Sequence, residues 1–178
     1  SEGQAICLAC IPGRTGHASE MIYECDLCSP GRFMPDSNSN ASECLPCNPG
    51  EYQDKEGQTS CVMCVPGFFN DMTNASVECK ACPRGWRQDK RNQTKCDVCE
   101  AGSYQKMEGQ TNCKICQVGR FSDSLGSSVE CTQCNAGLYT DTRGSTRCII
   151  CPSGKIANEQ STACENPPWI TAADCTVS

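Results

Sequence analysis

Apolar residues occur in ones and twos along this chain, and the positions that repeat most regularly are cysteines. Ten cysteine pairs begin at intervals of 16 to 19 residues, at positions 7, 25, 44, 61, 79, 96, 113, 131, 148 and 164. The first nine pairs have the spacing C-x-x-C, and a glycine stands three residues past each of them. Two residues after that glycine there is usually an aromatic residue. A period this regular predicts a repeat protein built from one small module.

Turn chemistry predicts two short strands in each module. The chain turns at the glycine, extends for a few residues, turns again and returns to the next cysteine. Gly57, Gly109 and Gly144 supply the second turn, because glycine tolerates positive φ. We expect the aromatic side chain to cover a disulfide. Isolated ribbons are marginally stable, so the predicted fold is small and disulfide-rich: an elongated rod of tandem short two-stranded β ribbons with almost no helix.

Composition explains why the cysteines are needed. Hydrophobic residues make up 38% of the chain, but this figure includes 20 cysteines, and aromatic residues are only 6%. So little apolar surface cannot offset a backbone ordering cost of roughly 1 to 2 kcal/mol per residue. Closing a loop of about 15 residues with a disulfide contributes roughly 3 kcal/mol. Because disulfides persist in oxidising compartments, the sequence predicts an extracellular protein, either secreted or at the cell surface.

Zinc binding and thiol redox chemistry are the alternatives for so many C-x-x-C pairs. Two such pairs can surround one zinc ion. Against zinc stand the single histidine, His17, and a glycine-plus-aromatic signature that serves chain geometry. A thioredoxin-like role needs one reactive pair on a βαβ scaffold, whereas these pairs are alike. We therefore predict disulfides and no cofactor.

Two disulfide schemes are compatible with the spacing. One joins the second cysteine of each pair to the first of the next, from Cys10–Cys25 onward, and leaves Cys7 and Cys175 over. The other crosses neighbouring pairs two at a time and uses all twenty cysteines. We favour the first because it treats equivalent loops alike, although the spacing leaves both open. Its bonded residues are Cys10, Cys25, Cys28, Cys44, Cys47, Cys61, Cys64, Cys79, Cys82, Cys96, Cys99, Cys113, Cys116, Cys131, Cys134, Cys148, Cys151 and Cys164.

Three N-x-[ST] sequons begin at Asn40, Asn74 and Asn92. Each lies four or five residues before the next cysteine, at one loop position of the module. Recurrence at one position in a cysteine-rich chain predicts covalent N-linked glycans. The alternative is that these asparagines are simply polar loop tips.

The repeats also set the predicted domain organisation. Residues 1–6 are an N-terminal lead-in, residues 7–163 hold nine tandem repeats, and residues 164–178 are atypical. A longer period lies within the array: residues 44–95 align without gaps onto 96–147, with 23 identities in 52 positions. Three small repeats were therefore duplicated together.

The C-terminal stretch departs from the pattern, since ten residues separate its last two cysteines and no glycine follows. One hypothesis is a cap on the last repeat. A second is an assembly segment that contacts another subunit, and a third is a linker to another domain. The assembly hypothesis involves six residues: Cys7, Pro167, Pro168, Trp169, Ile170 and Cys175.

Charge and motifs exclude several function classes. A net charge of −6 argues against nucleic acid and against anionic membrane surfaces. No apolar run approaches the roughly 18 to 20 residues of a transmembrane helix, so we predict no membrane insertion and expect a mature or excised ectodomain. The sequence contains no nucleophile–base pair, phosphate loop or calcium loop, and an enzyme is not predicted.

The tandem motif C-x-x-C-x-x-G-x-[YF] with a following G-x-T-x-C resembles the ephrin-receptor-like cysteine-rich repeat, over residues 7–164. It is similar, more loosely, to the cysteine-rich modules of tumour-necrosis-factor receptors and to protist surface proteins rich in C-x-x-C. These resemblances imply disulfide-built β modules in extracellular rods for adhesion, matrix or receptor work, without catalysis. They transfer no ligand-contact residue.

Two functions remain. In the first, the chain is a non-enzymatic, glycosylated structural subunit or spacer of an extracellular fibre, coat or matrix, whose partners are copies of itself or other extracellular proteins. In the second, it is the stalk or ligand-binding ectodomain of a cell-surface receptor or adhesion protein. A receptor needs exposed apolar residues at one site, and the candidates are residues 21–23 and Phe68 with Phe69.

Overall fold

The fold is given by a computed structural model that describes residues 10–19, 22–35 and 43–168. These residues form short strands and no helix. The strands are β1 (Arg14–Ser19), β2 (Ile22–Leu27), β3 (Arg32–Phe33), β4 (Leu45–Pro46), β5 (Glu51–Tyr52), β6 (Val62–Met63), β7 (Phe68–Phe69), β8 (Lys80–Ala81), β9 (Trp86–Arg87), β10 (Asp97–Val98), β11 (Ser103–Tyr104), β12 (Lys114–Ile115), β13 (Arg120–Phe121), β14 (Thr132–Gln133), β15 (Leu138–Tyr139), β16 (Ile149–Ile150), β17 (Ile156–Ala157) and β18 (Cys164–Glu165).

Each odd-numbered strand pairs antiparallel with the strand that follows it, which gives nine two-stranded sheets in the described part of the chain. In the sheet of β11 and β12, for example, Ser103 pairs with Ile115 and Tyr104 with Lys114. The predicted fold class, small and disulfide-rich with two-stranded ribbons and no helix, is confirmed for these residues.

Nine disulfides join the second cysteine of one pair to the first of the next, which is the first of the two schemes above. Their Cα–Cα distances are 5.6 to 5.8 Å, within the usual range. We call each disulfide with its ribbon a module and number the modules 1 to 9. Their disulfides are Cys10–Cys25, Cys28–Cys44, Cys47–Cys61, Cys64–Cys79, Cys82–Cys96, Cys99–Cys113, Cys116–Cys131, Cys134–Cys148 and Cys151–Cys164.

A tight turn starts each module, and the sequence accounts for it. In module 3 the N–H of Glu51 donates to the carbonyl of Asn48 at 3.0 Å, which closes a four-residue turn. Pro49 holds the second position of this turn near its required φ, and Gly50 takes φ 91° at the third. The turn reverses the chain after the disulfide and directs the next two residues into a strand.

Cysteines and polar side chains, rather than aromatic residues, form most of the interior. The first cysteine of every described disulfide is buried, and Met34 of module 2 is fully buried beside Cys28 and Cys44. The aromatic residues that follow the module glycines, such as Tyr52 and Phe121, are only half-buried. Each module therefore depends on its disulfide for most of its apolar interior.

The chain divides into two compact units. The first takes the residues up to Cys82 together with Gln88–Cys96, and the second takes Pro83–Arg87 together with the residues from Asp97 onward. The domain boundaries predicted from the sequence concern repeats rather than compact units, and they stay predictions.

Candidate functional site: the module junctions

Backbone hydrogen bonds join each module to the next. At the junction of modules 2 and 3, the N–H of Gly31 donates to the carbonyl of Gln53 at 2.7 Å, and the N–H of Met34 donates to the carbonyl of Gln58 at 3.0 Å. The same pair of bonds recurs between modules 6 and 7 of the second unit. Since both partners are main-chain groups, the junction tolerates many side chains on its outer surface.

The turn at the far end of each ribbon, which we call the tip, reaches back to the preceding module. The N–H of Gly57, at the tip of module 3, donates to the carbonyl of Cys28 at 2.8 Å. The N–H of Gly144, at the tip of module 8, donates to the carbonyl of Cys116 at 2.9 Å. These tips are therefore hydrogen-bonded parts of the array rather than free loops.

The tips also contact the module two places earlier. A Cβ built on Gly102 of module 6 would collide with the carbonyl oxygen of Gly144 in module 8. The equivalent glycine–tip pairs in the described residues are Gly13 with Gly57, Gly31 with Asn74, Gly50 with Asn92, Gly85 with Gly126, and Gly119 with Gln160. The glycine of the motif is thus needed twice, for its turn and for the close approach of a distant tip.

One side chain closes over several of the tips. It belongs to the residue directly before the second cysteine of a C-x-x-C. A Cβ on Gly144 would lie 3.3 Å from Cγ2 of Ile115, and one on Gly126 would lie 3.1 Å from Cγ2 of Val98. At Gln133 the contact is polar, because its amide donates to the carbonyl of Glu159 at 3.1 Å.

Two predicted glycosylation residues are tip residues. Asn74 and Asn92 have φ values of 58° and 57°, in the left-handed region that asparagine and glycine adopt most readily. Their N–H groups donate to the carbonyls of Cys47 and Cys64 at 3.0 and 2.9 Å. Both residues are exposed, but Oδ1 of Asn92 lies against the preceding modules, 2.5 Å from where a Cβ on Gly50 would be. The conformation alone accounts for asparagine at these positions, and glycosylation there stays a prediction.

A buried amide supports each of several modules, and the sequence analysis did not identify it. Gln105 is 2% exposed; its Nε2 donates to the carbonyl of Asn112 at 2.7 Å, and its Oε1 accepts the N–H of Met107 at 3.1 Å. Gln53 and Gln88 make the same two kinds of bond. The available signal was the recurrence of glutamine directly after the half-buried strand.

Two segments match a known family. The profile described as tyrosine-protein kinase ephrin type A/B receptor-like matches residues 36–78 and 89–130. These two segments are similar to ephrin-receptor-like cysteine-rich repeats. The resemblance inferred from the motif is therefore confirmed over these two segments. No curated protein matches the chain.

The ephrin-receptor-like repeats and the disulfides indicate an extracellular, receptor-like or adhesion-type domain. Repeats of this kind are typically non-enzymatic. Within the described ranges, no helix is both long and apolar enough to cross a membrane. No group of three or more His, Cys, Asp or Glu side chains in those ranges is arranged to hold a metal ion.

The repeats leave open grooves on the surface of each unit. In the first unit, a groove of about 210 Å³ is lined mainly by apolar groups, which include Tyr52, Val62, Met63, Val65 and Phe68. Val62, Met63 and Val65 are exposed, whereas Phe68 and Phe69 are half-buried. The residue 21–23 candidate lies outside what the structure describes, since Met21 and the side chains of residues 22 and 23 are not described.

Surface charges form ion pairs beside these ribbons, such as Lys80 with Asp71 and Lys106 with Glu130. The Lys80 ammonium lies 3.2 Å from Asp71, and its hydrogen bond holds the pKa of that carboxyl below the usual range. Lys106 likewise lowers the pKa of Glu130 through a hydrogen bond, and its own pKa is raised. Since all four groups are exposed, these pairs contribute little to stability.

Most of the residues of the predicted assembly segment lie outside the described ranges. Pro167 is buried and Pro168 is exposed. Cys7, Trp169, Ile170 and Cys175 are not described, and neither is the sequon residue Asn40.

Proposed function

We propose that this chain is a non-enzymatic structural subunit or spacer of an extracellular fibre, coat or matrix. The observation that supports the proposal most is that the module glycine has two structural roles. Gly102, for example, holds the turn of its own module and receives the tip of another through Gly144. The residues that repeat in the motif therefore serve contact between modules, as expected of a chain whose function is extension and rigidity.

The hydrogen bonds at the junctions support a spacer more than a receptor. Main-chain groups make these contacts, so the outer side chains vary from module to module without loss of the array. The outer residues of β6, β8 and β12 illustrate this, since Val62, Lys80 and Lys114 stand at equivalent strand positions and all are exposed. A ligand-binding array would instead be expected to repeat one exposed surface.

N-linked glycans belong to this proposal. Asn74 and Asn92 present exposed side chains at tips, and Asn40 stands at the corresponding sequence position of module 2. Glycans at these positions would shield the ribbons from proteases. The partners proposed are copies of this chain or other extracellular proteins, with no cofactor beyond covalent glycans.

Negative-stain electron microscopy of the glycosylated chain, secreted under oxidising conditions, tests the function. Filaments or sheets with a regular axial repeat are the expected result. Well-separated single particles that bind a soluble protein through the groove around Met63 would overturn it and establish a receptor role.

One observation favours that second function, a stalk or ligand-binding ectodomain of a receptor or adhesion protein. The groove beside Tyr52 presents Val62, Met63 and Val65 at one place in the first unit, and exposed apolar clusters mark protein-interaction sites. Met63→Glu should abolish binding of the chain to cells that carry its ligand if this function is correct. The same substitution should leave filament formation unchanged if the chain is a structural subunit.

A further inference from the structure

Two grooves occupy equivalent places in the duplicated segments of this chain. The first groove is the one around Met63, and the second, of about 570 Å³, lies in the second unit. The alignment of residues 44–95 with 96–147 carries the lining of one groove onto the other. The corresponding pairs are Tyr52 with Tyr104, Val62 with Lys114, Met63 with Ile115, Val65 with Gln117, Phe68 with Arg120, and Glu78 with Glu130.

The two grooves are built on the same backbone pattern but differ in chemistry. The tyrosine and the glutamate are the same in both, and Met63 and Ile115 are both apolar. The other three positions change from valine, valine and phenylalanine to lysine, glutamine and arginine. Because main-chain hydrogen bonds hold the array together, these side chains can change while the fold is kept. The two grooves therefore offer different surfaces to a ligand.

Three cations line the second groove. Lys114 and Arg120 belong to β12 and β13, and Arg143 belongs to the tip of module 8. All three are exposed. The carboxylate that lines this groove, Glu130, is paired with Lys106. The groove thus presents a positive surface in a chain whose net charge is −6, and random change at exposed positions does not account for that concentration of cations.

The three cationic groups are available to a ligand. Within the described ranges, the side chains of Lys114 and Arg143 form no ion pair or hydrogen bond. Arg120 donates one guanidinium N–H to the carbonyl of Cys131 at 2.9 Å, which orients the group and leaves its other N–H groups for a ligand. A guanidinium held in this way has the planar geometry that binds carboxylate and similar oxyanions through two hydrogen bonds.

The second groove continues into a neighbouring one of about 830 Å³ in the same unit. Ile115 and Arg143 line both grooves. The neighbouring groove adds Arg87, Asp97 and Glu100, so positive and negative side chains balance there. The positive charge is therefore concentrated in the second groove, within a longer open trough. Such a trough suits a chain molecule with repeated anionic groups better than a single small anion.

We propose that the second groove binds an anionic polysaccharide of the extracellular space through carboxylate or sulfate groups on its sugars. Lys114, Arg120 and Arg143 would each contact an anionic group. The half-buried ring of Tyr104 would lie against a sugar ring, and the Gln117 amide would bond to sugar hydroxyls. This binding activity goes beyond the proposed structural function and does not require the chain to form filaments.

An acidic peptide is the alternative ligand, and the lining of the groove argues against it. Protein partners bind mainly through apolar and aromatic anchors that fill pockets. The first groove offers such contacts through two valines and Phe68, whereas the second has polar or charged side chains at the same three positions. Cations, an amide and one tyrosine ring are instead the groups that a charged sugar chain requires.

Calorimetric binding of a heparin oligosaccharide, which carries sulfate and carboxylate groups, to the intact disulfide-bonded chain tests the proposal. The test variant combines Lys114→Gln with Arg143→Gln. The control combines Lys155→Gln with Arg147→Gln, since these residues are exposed in the second unit and line neither groove. The test variant should bind roughly fivefold to thirtyfold more weakly than the wild type, and the control should lose less than about twofold.

Two outcomes would overturn the proposal. One is a wild type that does not bind heparin. The other is an equal loss in the test and control variants, which would show that only the overall charge matters. A variant with Lys114→Arg and Arg143→Lys keeps both charges and should bind within about twofold of the wild type. A loss in it as large as in the test variant would also contradict recognition by charge.

Two further probes identify the anionic group and the class of ligand. An oligogalacturonate carries carboxylates alone, so its affinity relative to heparin distinguishes carboxylate from sulfate recognition, and binding of either supports the proposal. Polyglutamate of matched charge represents the acidic peptide. If polyglutamate binds more tightly than both sugars and the test variant loses that binding, the groove is a peptide site and the proposal is wrong. Filaments of the test variant should be unchanged, which separates this result from the structural function.

Discussion

The carbonyl oxygen of Gly144 lies where the side chain of residue 102 would begin, so Gly102 has no space for one. The two residues belong to modules 6 and 8, so module 6 is held by module 8 as well as by its neighbour. This contact explains why glycine is required at a position whose turn alone would tolerate asparagine.

Substitution of this glycine should therefore destabilise the second unit strongly. Gly102→Ala imposes the strain of a Cβ at φ 82°, about 1 to 2 kcal/mol, and adds a collision of the overpacking kind, about 1 to 3 kcal/mol. Gly137→Ala carries the first cost alone, because its Cβ meets no described residue. Denaturant unfolding of the dilute, disulfide-intact proteins measures the difference. Equal losses for the two variants would show that the tip contact contributes nothing.

The buried amide of module 6 predicts a second large effect. Gln105→Leu removes two hydrogen bonds and leaves the Asn112 carbonyl and the Met107 N–H without this partner, which should cost about 1 to 3 kcal/mol. Gln117→Leu is the control, since Gln117 is exposed and surface substitutions usually change stability by about 0.5 kcal/mol or less. Thermal unfolding of both proteins checks this prediction, and a loss in Gln105→Leu no greater than in the control would contradict it.

Two substitutions at the tip of module 4 separate the conformational role of Asn74 from its glycosylation. Ser76→Ala destroys the sequon but keeps Asn74, so it should lower the mass by one glycan and leave stability nearly unchanged. Asn74→Ala should lose the same mass and destabilise by about 1 to 2 kcal/mol, because alanine is strained at positive φ. Intact-mass spectrometry and unfolding curves measure both effects. An unchanged mass in Ser76→Ala would exclude a glycan at this residue.

Reduction and chelation should differ in their effect on the fold. The modules have few large apolar side chains, and removing even one disulfide from a small domain typically costs about 2 to 5 kcal/mol. A thiol reductant should therefore unfold the chain, and EDTA should leave its circular dichroism unchanged. Loss of structure on chelation with retention in reductant would contradict the disulfide account.

The pH dependence of stability should be weak near neutrality. Lys106 lowers the pKa of Glu130. The stability that Glu130 contributes is therefore present above the unfolded pKa and is lost as pH falls through the folded pKa. The pKa of Lys106 is raised, so its contribution is present below the unfolded pKa and is lost as pH rises through the folded pKa. The denaturation midpoint should therefore not change with pH between those limits. Lys106→Ala should weaken the fall of the midpoint at acid pH. A transition near pH 7 would contradict this assignment.

Local features of this chain were predictable because they depend on nearby residues. The C-x-x-C spacing and Gly50 set the turn and the following strand, and the equivalence of the loops favoured the bond from Cys47 to Cys61 over a crossed one. The aromatic residues were expected to cover the disulfides, and Tyr52 and Phe121 are in fact only half-buried.

Contacts between modules two places apart were not predictable. Gly102 and Gly144 are far apart in sequence, and nothing in either local motif specifies that they meet. The role of Gln105 was missed for a different reason, since a polar residue after a strand is normally expected at the surface. Only the bonds to Asn112 and Met107 make its burial favourable.

Amide hydrogen exchange at the tip residues tests the central claim most directly, because an exposed loop and a docked tip differ in the protection of one N–H. The N–H groups of Gly57, Asn74, Asn92, Gly126 and Gly144 donate to cysteine carbonyls of the preceding module. They should exchange far more slowly than an unstructured peptide of the same sequence, even though they lie at turns. Exchange at the unstructured rate would mean that the tips are free, and the account of the array as interlocked modules would be wrong.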